Sequence, residues 1–144
     1  MAASRERRED HSVGVDIETA RQFAASWVRA WNDHDLDGVL SHFDDDADFS
    51  SPVAAQLLPH TGGVLHGKQA IRDYWTIGLQ RFPDLYFEIV HVYCGLDLIV
   101  INYRNHTGGL VSEVLTFNAA GQVVTGAGTY LLQDAAGASG AHPV

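Results

Sequence analysis

One glutamate, Glu113, stands among large apolar residues where a carboxylate is unusual. If the segment around it forms a strand, Val111, Glu113, Leu115 and Phe117 share one face, because successive side chains alternate between faces. Burial on such a face raises the pKa of a glutamate above its ordinary value of about 4.3. The pattern therefore predicts a pocket carboxyl that acts as acid, base or hydrogen-bond donor. The alternative is a glutamate at an edge or interface, held by an arginine.

Tyr103 is a candidate partner of Glu113 on the preceding strand. A three-residue hairpin loop over 107–109 would place Tyr103 directly opposite Glu113, with their Cβ atoms about 5 Å apart. A four-residue loop over 118–121 would place Gly126 opposite Glu113 on the other side, where a glycine leaves room for a ligand. Both registers are expectations, and a slip of one residue would turn these side chains outward.

His91 is the third candidate for chemistry. Its strand, residues 89–93, is apolar on both faces, so alternation does not fix the direction of the imidazole. If His91 faces inward, it can act as an acid or base near neutral pH and assist Glu113. If it faces outward, its role is structural.

The elements that must position these groups begin with helices. Asp16 is a good N-cap, and apolar residues at helical spacing predict a helix from there to about Trp31. A short second helix is expected over 36–43, ended by three aspartates at 44–46, and a third over 68–82, stopped by Pro83. Between them we expect a short strand over 47–51 and a loop over 52–64.

Four strands follow, over 85–94, 98–106, 110–117 and 122–132, separated by short turns. Short turns between neighbouring strands indicate an antiparallel meander. Helices followed by a run of strands predict an α+β fold, in which a curved sheet wraps around the helices.

Four segments resemble the nuclear transport factor 2-like superfamily, especially its SnoaL-like and ketosteroid-isomerase-like branch. They are WVRAWNDHDLDGVLSHF at 27–43, DADF at 46–49, HGKQAIRDYW at 66–75 and FNAAGQVV at 117–124. The resemblance covers roughly residues 17–132. It implies a cone-shaped, cystatin-like α+β barrel, with three N-terminal helices closing one side of a bent sheet around a pocket. Members include isomerases, polyketide cyclases, dehydratases and epoxide hydrolases, and others only bind ligands or proteins.

The resemblance also identifies positions that depart from ketosteroid isomerase chemistry. The catalytic aspartate of those enzymes, which precedes a proline, corresponds to Ser51 before Pro52. Their donor tyrosine corresponds to Trp27, and their second acidic donor corresponds to Glu113. A serine hydroxyl is not a general base at neutral pH, so we expect no ketosteroid isomerase activity.

We therefore expect a mainly apolar pocket in which Glu113, Tyr103 and His91 do the chemistry. The expected ligand-binding residues are Trp27, Phe49, Ser51, Trp75, Phe87, Asn105 and Tyr130. The leading function is acid/base chemistry, without a metal or organic cofactor, on a small hydrophobic oxygenated molecule: isomerisation, cyclisation or dehydration. The alternatives are a non-catalytic protein that binds a hydrophobic ligand and a protein-interaction module.

Composition limits the partners and the compartment. The 144 residues carry a formal net charge of −9, which argues against binding to nucleic acid or to an anionic membrane surface. The single cysteine, Cys94, fits a reducing compartment, and we expect a cytoplasmic protein. We interpret residues 1–14 as a disordered arm, 15–133 as one domain and 134–144 as a flexible tail. Val100 and Val114 lie opposite the expected pocket, and this apolar outer sheet face predicts a homodimer.

Overall fold

A computed structural model of the chain describes residues 15–132. The predicted arm over 1–14 and the predicted tail over 134–144 lie outside the described residues. Within the described part of the chain, no helix is both long and apolar enough to cross a membrane.

Helix α1 (Ile17–Asn32) carries the first apolar stripe predicted from the sequence. Asp16 caps it as expected, because its carboxylate accepts a hydrogen bond of 2.8 Å from the backbone N–H of Thr19. Trp27 and Trp31 are buried on its inner face. A five-residue helix, α2 (Leu36–Leu40), follows as predicted but is shorter than expected.

The segment after α2 differs from the prediction. Residues 44–46 do not end a helix but lie within strand β1 (Phe43–Ser50), whose pairing is irregular between Phe43 and Asp48. Residues 52–64 are not a loop: they form helix α3 (Pro52–Leu57), a 3-10 turn and the start of strand β2 (Val64–His66). Pro52 begins α3 because the first turn of a helix needs no backbone N–H from its first residues.

Helix α4 (Lys68–Arg81) matches the predicted third helix to within one residue and buries Tyr74 and Trp75. The meander is also confirmed. It consists of β3 (Glu88–Cys94), β4 (Leu98–Arg104), β5 (Leu110–Phe117) and β6 (Val123–Tyr130). The six strands form one sheet in the order β2-β1-β6-β5-β4-β3, in which only the β1–β6 pair is parallel. The sheet is curved and unclosed, and the helices cover its inner face.

The register of the central strands is shifted by two residues from the prediction. Ile101, not Tyr103, lies opposite Glu113, and Tyr103 lies opposite Val111. On the other side, Glu113 pairs with Gly128, so the expected pairing with Gly126 is wrong. A shift of two residues keeps every side chain on its predicted face, because the period of a strand is two.

Candidate functional site

Glu113 and Tyr103 meet inside the fold although they are not directly opposite. Both side chains are almost fully buried, and the Tyr103 hydroxyl donates a hydrogen bond of 3.4 Å to Oε1 of Glu113. The inner face of the sheet therefore holds a carboxyl, as the alternation predicted. In the described part of the chain, the ion pairs of Arg72 and Lys68 lead to surface aspartates and not to Glu113.

Two more tyrosines and a serine complete a polar cluster around this carboxyl. Tyr74 from α4 and Tyr130 from β6 are both hydrogen-bonded with the side chain of Ser51. Burial raises the pKa of both phenols, and a negative charge on Glu113 raises it further, which places them within electrostatic reach of the carboxyl. We call Ser51, Tyr74, Tyr103, Glu113 and Tyr130 the tyrosine–glutamate cluster.

Burial determines the protonation state of the cluster. Desolvation raises the pKa of Glu113 to about 8, and the hydrogen bond from Tyr103 offsets only part of that rise. Burial also raises the pKa of Tyr103, and the nearby Glu113 charge raises it further. At neutral pH the carboxyl is therefore mostly protonated, and an acid of this kind can donate a proton or a hydrogen bond.

Aromatic rings surround the Tyr103 side of the cluster. The ring of Phe87 lies 4.2 Å from that of Tyr103, and the ring of Trp27 lies 5.5 Å from it, centroid to centroid. Trp27 and Phe87 stack on one another at 5.8 Å. These contacts exclude water from the phenol, which strengthens the electrostatic interactions there.

Phe49 and Trp75 pack against each other, and Phe49 lies beside Tyr74 of the cluster. Their rings are 5.4 Å apart, and Phe49 lies 6.3 Å from Tyr74. Gly126 does not open space for a ligand, because a Cβ there would lie 2.9 Å from Cδ1 of Phe49. The missing side chain accommodates the phenylalanine ring.

Asn105 and His91 lie at different places from the cluster. Asn105 follows β4 and is buried at the turn into β5, where its Oδ1 accepts hydrogen bonds from that turn. The sequence left the direction of His91 open, and the structure shows it exposed, so it lacks the inward orientation that a role in the chemistry would require. The pairing shifts between Ile89 and His91, which aligns His91 with Asn102 on the outer face of the sheet. This irregularity could not be read from a strand that is apolar on both faces.

Tyr74 is the member of the cluster that sequence analysis missed. It lies among the buried apolar residues of α4, where the helical pattern by itself indicates a core position. A tyrosine at a core position of the helix was the available signal. It indicates a buried polar partner, because buried phenols usually find a hydrogen-bond partner.

Two further features of the described residues bear on other kinds of site. Residues 15–132 contain no group of three His, Cys, Asp or Glu side chains that could hold a metal ion. A cavity of about 500 Å³ lies between the start of α1 and the turns that follow β3 and β5, and Phe23, Leu96 and Phe117 line it. Glu113 is not among its lining residues.

The architecture defines an α+β protein in which a curved, open sheet and four helices enclose a buried carboxyl. Residues 24–136 match the sequence model of the SnoaL-like domain, and the chain belongs to the SnoaL-like family. The resemblance found in the sequence is therefore confirmed.

Solved structures agree with this assignment. A SnoaL-like protein of unknown function from Burkholderia thailandensis shares 37% identity, with 83% of this chain and 99% of that chain covered and a TM-score of 0.79. A candidate isomerase of the SnoaL-like family from Agrobacterium tumefaciens has 15% identity, coverage of 78% and 97%, and a TM-score of 0.62. TerC, co-crystallised with polyporic acid, has 13% identity, coverage of 78% and 91%, and a TM-score of 0.65. No curated protein matched the chain.

Proposed function

We propose that the protein catalyses cofactor-independent proton transfer on a small hydrophobic, oxygenated molecule, in a reaction of the isomerase, cyclase or dehydratase type. The observation that carries this proposal is the buried Glu113, whose pKa is raised to about 8 by burial. A titratable group that is desolvated and paired with a specific partner is typical of active sites.

Glu113 would act first as an acid. Its neutral carboxyl donates a proton to a substrate hydroxyl, and the C–O bond breaks as water leaves. The resulting carboxylate then accepts a proton from the adjacent carbon, whose C–H electrons form the double bond. Glu113 returns to its protonated state, and the net change is loss of one water molecule. Tyr103, which donates to Glu113 Oε1, stabilises the transient carboxylate.

These steps need only one group that exchanges a proton near neutral pH. Glu113 is that group in the cluster, because burial raises the pKa of the three tyrosines. Ser51, which the sequence resemblance matches to the catalytic aspartate of ketosteroid isomerases, has no carboxylate, and its hydroxyl accepts a hydrogen bond of 3.1 Å from the backbone N–H of Val53. Dehydration, or protonation of an enolate during isomerisation or cyclisation, is therefore favoured over the two-carboxyl chemistry of ketosteroid isomerases.

A probe reaction tests whether small apolar molecules reach Glu113. In 5-nitrobenzisoxazole, a base removes the ring C–H proton and the N–O bond breaks to give a coloured cyanophenolate. We expect the wild-type rate to rise with pH through about 8, as Glu113 ionises. Glu113→Gln should remove this rate, and Glu88→Gln, at an exposed glutamate on β3, should retain it. A rate in Glu113→Gln equal to that of the wild type would refute the proposal.

Non-catalytic binding of a hydrophobic ligand is the second candidate. The indole N–H groups of Trp31 and Trp75 are buried and have no hydrogen-bond partner among residues 15–132. Buried donors of this kind are suited to an acceptor oxygen on a bound molecule. If the protein binds aromatic ketones but the probe rate does not depend on Glu113, this second function is supported instead.

A further inference from the structure

The side-chain amide of Asn105 is held in one orientation by the turn between β4 and β5. Its Oδ1 accepts hydrogen bonds from the backbone N–H of Thr107 at 3.1 Å and that of Gly109 at 2.9 Å. The hydroxyl of Thr107 donates a third, of 2.8 Å. Since all three partners are donors, they identify the atom that accepts them as the oxygen and fix the direction of the amide NH₂.

The NH₂ group of Asn105 is left without a partner. Asn105 is only 5% exposed, and its Nδ2 has no hydrogen-bond acceptor among the described residues. An unpaired donor away from water is costly, and natural proteins rarely retain one unless something else satisfies it. The turn thus presents a fixed donor that is suited to an oxygen atom from outside the described chain.

The position of Asn105 relates this donor to the tyrosine–glutamate cluster. Asn105 lies one residue beyond β4 and two beyond Tyr103, and it is buried as Ile101 and Tyr103 are. Its burial continues the alternation of the strand on the inner face of the sheet. Glu113 pairs with Ile101, which lies four residues before Asn105. At a rise of about 3.3 Å per residue, the two polar positions are roughly 13 Å apart along the strand, with the Tyr103 ring between them.

We infer that Asn105 is a specificity-determining residue that donates from Nδ2 to a carbonyl or ether oxygen of the ligand. The ligand would be an elongated aromatic molecule whose other oxygenated end meets Glu113, so the inference rests on the proposed function. Aromatic character follows from the rings of Phe87 and Trp27, which pack around Tyr103 between the two ends. The amide group selects ligands that carry a hydrogen-bond acceptor at this end over ligands that carry only a donor. It does so because it offers N–H donors and its only acceptor, Oδ1, is already occupied.

Two biphenyls that differ in one group provide the test. Both 4-hydroxybiphenyl and 4-acetyl-4′-hydroxybiphenyl carry a phenol for the Glu113 end, but only the second has a carbonyl at the far end. We expect calorimetric titration to show about tenfold tighter binding of the acetyl compound to the wild-type protein, the size expected for one buried hydrogen bond.

Asn105→Asp removes the donor and keeps the turn, because a carboxylate oxygen accepts the same three hydrogen bonds. This variant should bind both biphenyls equally or prefer the one without the acetyl group. Thr107→Val is the matched control: it loses one of the three bonds to Oδ1, leaves Nδ2 in place and should keep the tenfold preference. Glu113→Gln should change the affinity for both compounds by the same factor.

A second measurement uses the wild-type protein alone. The side-chain NH₂ proton resonances of Asn105 in a ¹⁵N NMR spectrum should move further downfield with the acetyl compound than with 4-hydroxybiphenyl, because only the acetyl compound accepts a hydrogen bond there. The inference is overturned if the wild type fails to bind the acetyl compound, or if Asn105→Asp retains the preference for it. Failure of the proposed catalytic function is a separate result, because it is detected by the probe rate of Glu113→Gln and not by the affinity ratio.

Discussion

Asn32 hydrogen-bonds both backbone polar groups of Phe87. Its Nδ2 donates to the Phe87 carbonyl at 2.9 Å, and its Oδ1 accepts from the Phe87 N–H at 2.8 Å. One amide at the end of α1 thus provides the pair of bonds that a neighbouring strand would supply. It fixes the position of the Phe87 ring, which packs against Tyr103.

Asn32→Ala should destabilise the fold, because it leaves the buried N–H and carbonyl of Phe87 without these partners. Each unsatisfied group costs about 1–3 kcal/mol, and we expect a loss of about 2–4 kcal/mol in the free energy of unfolding. Asn32→Asp keeps the acceptor oxygen and should lower the free energy of unfolding by less. Urea denaturation measures both, and equal stability of Asn32→Ala and wild type would contradict the prediction.

Glu113→Gln should change how stability depends on pH. The pKa of Glu113 rises from 4.5 to about 8 on folding because of burial. Its contribution to stability is fully present below about pH 4.5 and is lost as pH rises towards 8, since the unfolded chain ionises first. At 1.36 kcal/mol per pKa unit, the loss is on the order of several kcal/mol. The glutamine variant lacks this loss and should be the more stable protein at pH 8. Thermal melts from pH 4 to 9 measure the pH dependence of stability, and Glu88→Gln is the control. Parallel plots of melting temperature against pH for Glu113→Gln and wild type would rule out the prediction.

Tyr103→Phe should raise the pKa of Glu113 further. The phenol hydrogen bond lowers that pKa, because it stabilises the carboxylate. Removing it should move the carboxyl titration, followed by ¹³C NMR, to higher pH. Tyr86→Phe is the control, since Tyr86 is 59% exposed. An unchanged titration in Tyr103→Phe would show that the bond does not form in solution.

Gly126→Ala should disturb the packing of Phe49. The added methyl group would lie 2.9 Å from Cδ1 of Phe49 and 3.1 Å from Cδ2 of Leu115. Overpacking of this kind costs about 1–3 kcal/mol. Adding Phe49→Leu should recover part of that loss, and a double-mutant cycle by urea denaturation measures the coupling. Strictly additive effects of the two substitutions would disprove the steric argument.

We propose that the outer sheet face, which includes Val100 and Val114, forms a homodimer. These two residues pair across β4 and β5 on the face opposite Glu113, and both are half-buried in the single chain. Light scattering should report about twice the chain mass of 15.7 kDa. Val114→Lys should give the single-chain mass. Gln22→Lys, at an exposed position of α1, should keep the mass of the dimer. A wild-type mass of one chain at micromolar concentration would refute the proposal.

The sequence predicted the parts of the fold that depend on local periodicity. Helices α1 and α4 followed from their apolar stripes, and the inner face of Glu113 followed from strand alternation. Register depended on the lengths of turns, which the sequence leaves open. The turn at 105–109 is longer than expected because Asn105 forms its hydrogen bonds there.

Other features depended on tertiary contacts. The outward direction of His91 results from a pairing irregularity that no local pattern marks. The role of Tyr74 depends on its contact with Ser51, which comes from a distant segment of the chain. Such contacts bring residues together only after α3, α4 and the sheet have packed.

The dual role of Ser51 makes a second carboxyl accessible through a single amino-acid substitution. Ser51 caps α3 through Val53 and also contacts two tyrosines of the cluster. Aspartate is an equally good N-cap, so replacing the serine preserves the start of α3. A chain that changed only this codon would acquire two interacting acids with separated titrations. One amino-acid substitution in this scaffold would therefore assign the acid and the base roles to two separate carboxyl groups.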